Sequence, residues 1–137
     1  LEAVGALGVK RIALATAFRA EVNDIAIRFL GDLGIEVVAS HGLGRVDNLE
    51  VGRLPAQTAI EAARGVNTGE AEAIVLACTN WHSMPMIAAL EAEFGKPVLS
   101  TSQVSLWHAL RLIGHSDPIP GFGRLLEQAP ASQDKAA

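Results

Sequence analysis

The feature that most constrains the fold is a repeating order of short apolar runs and longer amphipathic stretches. Each apolar run is followed by a polar segment, which is typical of a strand buried on both faces of a parallel sheet. The stretches between the runs repeat apolar residues at helical spacing. The predicted strands are residues 11–17, 36–39, 73–78 and 97–100, and the predicted helices are residues 21–33, 56–66, 83–94 and 104–113.

This order predicts the α/β class, because strands that alternate with helices pair in parallel through right-handed crossovers. We expect a three-layer sandwich with a four-stranded parallel sheet that is covered by helices on both faces. The 137 residues are 50% hydrophobic, which is enough to fill a single core. No repeat or composition shift divides the chain, so we expect one lobe over residues 1–126 and a disordered tail over residues 127–137.

Composition and charge restrict the partners of the chain. The 11 basic and 15 acidic residues give a net charge of -4 without a basic cluster, which disfavours nucleic-acid binding. The longest apolar stretches, such as residues 73–78, are far shorter than the roughly 20 residues that cross a bilayer. The single cysteine forms no internal disulfide and suits a reducing compartment. We therefore expect a cytoplasmic protein without nucleic-acid or membrane partners. Because residues 1–4 read as mid-helix without a starting methionine, we also expect a fragment or a processed piece.

Polar residues follow each predicted strand. In open α/β sheets ligands bind outside the carboxyl ends of the strands, so we expect the four strand tips to face one crevice. The loop of residues 40–54 is long for a plain connection and typical of a functional loop. The four tips are Thr16-Ala17-Phe18, Ser40-His41-Gly42, Cys78-Thr79-Asn80 and Ser100-Thr101-Ser102.

Cys78 is the strongest candidate for a catalytic residue. A thiol at the tip of a central strand, just before a helix, experiences the positive end of the helix dipole, which favours the thiolate. The alternative is a small buried apolar residue, the commonest role of a free cysteine, and position alone leaves both interpretations open. Thr79 and Asn80 provide hydroxyl, amide and N–H donors that suit an oxyanion or a carboxylate, although such residues also serve in loops and caps.

Other candidate groups are weaker. Asn48 could donate a hydrogen bond to a carboxylate from the long loop, but spacing alone favours an ordinary turn residue. His82 is close enough in sequence to form a Cys-His pair with Cys78, and a solvated histidine is the preferred interpretation. The four histidines show no paired metal-ligand spacing, so we expect no metal site. No glycine-rich phosphate motif is present.

Five segments of the chain resemble a known family. In the same order along the chain, they are similar to the C-terminal half of the arylmalonate decarboxylase and maleate cis-trans isomerase group, within the aspartate/glutamate racemase superfamily. The resemblance covers nearly the whole chain but only one half of such an enzyme. The segments are residues 13–18 (ALATAF), 46–52 (VDNLEVG), 77–80 (ACTN), 95–102 (GKPVLSTS) and 120–126 (PGFGRLL).

The resemblance implies a cofactor-independent enzyme of two similar α/β lobes with the active site between them. By position, Cys78 matches the catalytic cysteine of the C-terminal lobe, which is the proton donor in the decarboxylases and an essential thiol in the isomerases. Thr79 takes the place whose backbone N–H binds a substrate carboxylate, and Asn48 matches a substrate-binding asparagine of the isomerases. The implied partners are a small dicarboxylate substrate and a complementary N-terminal lobe or a homo-oligomer.

One position departs from the family pattern. Both branches usually carry tyrosine at the tip of the first strand, where this chain has Phe18. Losing a donor to a charged group costs about 1.5 to 3 kcal/mol unless another donor replaces it. The predicted substrate-binding residues also include Thr16, Phe18 and Asn80. The loop of residues 46–52 favours an isomerase and the tail of residues 120–126 favours a decarboxylase. A non-catalytic α/β lobe that binds a ligand or a partner is the alternative from a different class.

Overall fold

The computed structural model describes residues 1–128 of the chain. Four strands pair in parallel in the order β2-β1-β3-β4, which confirms the predicted α/β class and four-stranded sheet. Thr16, the last residue of β1, pairs with Gly42 of β2 and with Ala77 of β3, so these three strands end at the same level. The strands are β1 (Arg11–Thr16), β2 (Glu36–Gly42), β3 (Ala73–Ala77) and β4 (Val98–Ser100).

Helices cover both faces of the sheet. One face packs against α4 and α5 in the largest apolar cluster, and the other face packs against α1, α2 and α6 in two smaller clusters. No helix of the described residues is long and apolar enough to cross a membrane. The helices are α1 (Glu2–Ala6), α2 (Ala20–Asp32), α3 (Asn48–Arg53), α4 (Ala56–Val66), α5 (Ile87–Phe94), α6 (Thr101–Leu112) and α7 (Arg124–Glu127), with a short 3-10 turn at Met84–Met86.

Small side chains on β1 and α4 explain the close packing of the central layer. Ala13 and Ala15 of β1 and Ala59 and Ala63 of α4 are fully buried in the same cluster. Because alanine projects only a methyl group, α4 is able to approach the sheet closely. Every residue of β1 after Arg11 is buried, which is why this strand reads as a continuous apolar run rather than an alternating one.

Three predicted boundaries were wrong. The helix predicted from residue 83 starts as a 3-10 turn at Met84–Met86 and becomes α5 only at Ile87. The segment predicted as a loop over residues 40–54 begins with the end of β2 and contains α3. The last long helix begins at Thr101 rather than at residue 104, because Ser100 and Gln103 form a reciprocal capping box. The Ser100 hydroxyl accepts the Gln103 N–H at 3.2 Å, which places the helix start directly after β4.

The segment of residues 120–126, predicted as irregular, is clamped to the core and contains the start of α7. Glu91 is buried, and its carboxylate accepts the N–H of Arg124 at 2.8 Å and the N–H of Val98 at 3.0 Å. The side-chain amide of Gln103 donates to the carbonyl of Phe122. Of the tail predicted to be disordered over residues 127–137, residues 129–137 lie outside the described residues, whereas Glu127 ends α7.

Two exposed carboxylates with lowered pKa values join neighbouring elements away from the strand tips. Backbone N–H groups of Lys10 and then Arg11 hold the pKa of Glu72 below its ordinary value of 4.5, and they tie the start of β1 to the segment before β3. The hydrogen-bonded pair of Arg64 and Glu93, 2.7 Å apart, lowers the pKa of Glu93 and raises that of Arg64. This pair links α4 to α5, and its exposure limits its contribution to stability.

Substitution of Gly123 tests the clamp on residues 120–126. Gly123 has φ 90 and ψ 167, a conformation that is nearly restricted to glycine, and an added Cβ would collide with Ile87. We expect Gly123→Ala to lower the free energy of unfolding by about 1–3 kcal/mol, measured by urea denaturation. Gly65→Ala in α4 is the control, because its Cβ meets nothing within 4 Å. Equal stability of the two variants would show that the clamp is dispensable.

Candidate active site

The tips of β1, β3 and β4 and the start of α3 lie along one edge of the sheet. Parallel pairing puts all carboxyl ends on that edge, and backbone and side-chain hydrogen bonds connect the segments that follow the strands. Leu43 N–H donates to the Thr16 carbonyl at 3.0 Å, and the Ser102 hydroxyl donates to the Thr79 carbonyl at 3.2 Å. The residues predicted from the four tips are therefore neighbours in one connected edge.

Cys78 is the first residue after β3 and lies at the boundary between the core and this edge. It is 7% exposed and belongs to the same apolar cluster as Val51 and Trp81. Its carbonyl accepts the Trp81 N–H at 3.2 Å, which closes a tight turn directly after the strand. The position is that expected of a reactive thiol, while the burial is that expected of a small apolar residue. Among residues 1–128 no group of three or more His, Cys, Asp or Glu side chains could hold a metal ion.

The two residues after Cys78 present unused donors. Thr79 and Asn80 are exposed, and their backbone N–H groups have no hydrogen-bond acceptor among the residues that the structure describes. The Thr79 carbonyl, by contrast, is engaged by Ser102. Free backbone N–H groups next to a thiol are suited to hold a carboxylate or an oxyanion.

Asn48 is the first residue of α3, and it lies at the same edge of the sheet. The Asp47 carboxylate caps this helix by accepting the Leu49 N–H at 2.7 Å. Val51 is buried in the cluster that contains Cys78, and a Cβ on Gly52 would lie 3.9 Å from the Asn80 carbonyl oxygen. Because Asn48 is one helical turn before Gly52, it lies on the helix face that approaches the turn after Cys78. Asn48 is exposed and is a helix residue, not a turn residue.

Thr16 and Phe18 form the tip of β1, and their polar groups are engaged within the protein. Thr16 is 1% exposed, and its hydroxyl donates to the Asn23 side-chain oxygen and accepts the Phe18 N–H at 3.1 Å. The Phe18 carbonyl accepts the Gly44 N–H at 3.0 Å, and the partly buried ring packs on the main cluster. This geometry favours a supporting role for Thr16, whose direct contact with a ligand stays a prediction. Phe18 offers only its apolar ring.

The sequence pattern did not identify three residues that shape this edge, which are Asn23, Gly42 and Trp81. Asn23 is a buried polar residue inside an otherwise ordinary helical pattern. Gly42 has no room for a Cβ, which would collide with the Phe18 carbonyl and crowd the Asn23 amide. Trp81 is buried, and its indole N–H has no partner within residues 1–128. His82 is exposed, and no hydrogen bond connects it to Cys78 in the described part of the chain.

Comparisons with known proteins agree with this architecture. The sequence model of the arylmalonate decarboxylase family matches residues 1–126. Maleate isomerase from Nocardia farcinica is 33% identical over 132 residues, which cover 96% of this chain and 53% of the relative. Arylmalonate decarboxylase from Bordetella bronchiseptica is 30% identical over 94% of this chain and 55% of the relative.

A solved structure is also similar. A mutant of the Nocardia farcinica maleate cis-trans isomerase with a covalently bound succinylcysteine intermediate superimposes with a TM-score of 0.89 at 32% identity. The superposition covers 93% of this chain and 52% of that protein. The chain therefore spans about half the length of the relatives that it matches.

Substitution of Thr16 tests its supporting role at the tip of β1. Thr16→Val keeps the shape of the side chain but leaves the Phe18 N–H and the Asn23 side chain without their buried partner. We expect the free energy of unfolding to fall by about 1–3 kcal/mol, measured by urea denaturation. Thr16→Ser retains the hydroxyl and should stay closer to the parent protein. If Val is tolerated better than Ser, the hydroxyl does not organise this tip.

Proposed function

Since the chain belongs to the arylmalonate decarboxylase family, we propose that it is the cysteine-bearing half of a cofactor-independent enzyme that acts on a small dicarboxylic acid. The reaction takes place at the carbon next to a carboxylate, and Cys78 is the reacting group. The observation that carries this proposal is the position of Cys78 directly after β3 and before two backbone N–H groups that have no acceptor among residues 1–128. A thiol and an anion cradle in adjacent residues are what such chemistry requires.

Substrate binding uses donors from two sides of the edge. The N–H groups of Thr79 and Asn80 donate hydrogen bonds to one carboxylate at the turn after Cys78, and the Asn48 amide donates to a carboxylate from α3. Phe18 contributes an apolar surface at the tip of β1. This arrangement holds the carbon next to the carboxylate close to the Cys78 thiol.

Two reactions use the same residues with opposite resting states of Cys78. In a decarboxylation, the bond to the departing carbon dioxide breaks, and the thiol of Cys78 transfers its proton to the enediolate carbon. In an isomerisation, the thiolate of Cys78 forms a bond to one alkene carbon, and the electron pair moves toward the carboxylate on the other. Rotation about the resulting single bond and expulsion of the thiolate then restore the alkene.

We favour the isomerase branch over the decarboxylase branch. Asn48 matches the substrate-binding asparagine of the isomerases, and maleate isomerase from Nocardia farcinica is 33% identical to the chain, against 30% for the arylmalonate decarboxylase. The decarboxylase-like segment of residues 120–126 is weak support for a decarboxylase, because its contacts with Glu91 and Gln103 give it a structural role. Maleate is therefore the first substrate to test, and phenylmalonate is the second.

A complementary lobe completes the proposed site. The chain spans about half the length of its relatives, and only one side of the cleft is present in it. Helix α2 also exposes an apolar stripe at Val22, Ile25 and Phe29, with 40%, 61% and 62% of their surfaces accessible. Exposed apolar stripes of this kind mark surfaces that pack against another element. We propose that the N-terminal half of a two-lobe enzyme supplies the opposing residues.

A second candidate is a non-catalytic α/β lobe that binds a ligand or a partner. The 7% exposure of Cys78 and the absence of a hydroxyl at Phe18 favour this alternative. It requires the thiol to be a packing residue without access from the cleft. The two candidates therefore differ in the reactivity of one atom, the Cys78 Sγ.

Alkylation of Cys78 separates the two candidates. We expect iodoacetamide to modify this thiol near neutral pH, and millimolar maleate or phenylmalonate to suppress the reaction. Cys78→Ser should lower turnover by about 10²- to 10⁴-fold, because it removes the thiol that is the nucleophile of an isomerase or the proton donor of a decarboxylase, and it also serves as the labelling control. A thiol that reacts only after unfolding would assign Cys78 to core packing and end the enzyme proposal for this lobe.

Substitution of Phe18 tests the missing hydroxyl. Phe18→Tyr restores a donor at the tip of β1, and we expect the KM for the dicarboxylate to fall by about 10- to 100-fold, as for a hydrogen bond to a charged group. Steady-state kinetics measure the change, and Phe122→Tyr is the control because Phe122 lies in the clamped tail. An unchanged KM would mean that the ring faces a part of the substrate other than a carboxylate.

A further inference from the structure

The Ser102 hydroxyl is the only side-chain group of the described residues that binds the peptide between Thr79 and Asn80. It donates to the Thr79 carbonyl oxygen at 3.2 Å, across 23 residues of sequence. Ser102 lies in the first turn of α6, a helix that the Ser100–Gln103 capping box fixes at the end of β4. The hydroxyl is therefore anchored to the sheet independently of the turn that follows Cys78.

Peptide geometry connects this contact to the proposed anion cradle. The Thr79 carbonyl and the Asn80 N–H belong to one planar peptide unit, and the described residues contain no cis peptide bond. In a trans peptide the carbonyl and the N–H point in opposite directions. When Ser102 holds the carbonyl toward α6, the Asn80 N–H is directed away from α6, and it has no acceptor among residues 1–128.

We infer that Ser102 is a positioning residue that aims the Asn80 N–H at the substrate carboxylate. This inference rests on the proposed function and assigns the anion-binding half of that site. The exposed turn after Cys78 has no other side-chain tie to α6 in the described chain. Without the hydroxyl only the turn closed by the Cys78 carbonyl and the Trp81 N–H restrains this peptide, which is the central peptide whose orientation differs between turn types. The hydrogen bond also polarises the amide, which strengthens the N–H as a donor.

Three substitutions separate positioning from structural support. Ser102→Ala removes the hydroxyl, and Ser102→Thr retains it. Ser105→Ala is the matched control, because Ser105 is exposed one turn further along α6 and its side chain has no hydrogen bond within residues 1–128. The constant for protection of Cys78 against iodoacetamide by maleate, or by phenylmalonate, is measured in the full protein that carries this chain, together with KM and kcat.

We expect Ser102→Ala to weaken protection and raise KM by about three- to tenfold, as for the loss of one neutral hydrogen bond. The kcat, the unprotected alkylation rate and the thermal midpoint should remain close to the parent values. Ser102→Thr should restore binding, and Ser105→Ala should match the parent. Parent-like binding by Ser102→Ala would overturn the inference, and so would a parallel loss of stability and of intrinsic thiol reactivity, which would indicate a structural role.

A separate readout distinguishes failure of this inference from failure of the proposed function. If neither dicarboxylate protects Cys78 in the parent protein, the proposed function fails. The amide signal of Asn80 in an isotope-labelled sample then decides the geometry, since Ser102→Ala should shift and broaden it whereas Ser102→Thr should not. An Asn80 signal that is indifferent to Ser102→Ala would overturn the positioning role on its own.

Discussion

Parallel hydrogen bonding of β1 with β2 and β3 is the constraint on which the rest of the structure depends. The register pairs Thr16 with Gly42 on one side and with Ala77 on the other, so three strands end at one level. Cys78 follows Ala77 directly and therefore emerges beside the tip of β1. A one-residue shift in the register of β3 would exchange its two faces, because side chains alternate along a strand, and Cys78 would leave the cluster that it shares with Val51.

The edge separates polar groups that build the lobe from polar groups that remain free for a ligand. Buried polar groups need partners, and Thr16 with Asn23, Ser100 with Gln103, and Glu91 with two backbone N–H groups meet that requirement. The N–H groups of Thr79 and Asn80 are exposed and do not need internal partners. In our proposal these two exposed N–H groups bind the carboxylate. Because they are exposed, leaving them without an internal partner does not destabilise the fold.

Phe18 and Cys78 together define what is unusual about this half-site. The backbone of Phe18 is engaged by Thr16 and Gly44, so its side chain is the only part that a ligand could contact. An apolar ring that packs on the cluster containing the nearly buried thiol makes this edge less polar than a tyrosine would. Low polarity raises the strength of each remaining hydrogen bond to an anion, which gives more weight to the N–H groups of the turn and to Asn48.

The amino-acid sequence by itself determined the order of strands and helices, the parallel sheet and the polar tips, because local periodicity and strand-to-helix alternation carry that information. Resemblance of the motifs supplied the family and the candidate roles of Cys78, Thr79 and Asn48. The sequence pattern did not reveal α3 inside the predicted loop, since six residues are too few to show a helical period. Only the tertiary structure decided that the Thr16 hydroxyl is engaged by Asn23, that Gly42 has no space for a side chain, and that Ser102 binds the Thr79 carbonyl. These are contacts between residues 7 to 24 positions apart. They depend on how the strands stack and where the helices end, which no local pattern of residues specifies.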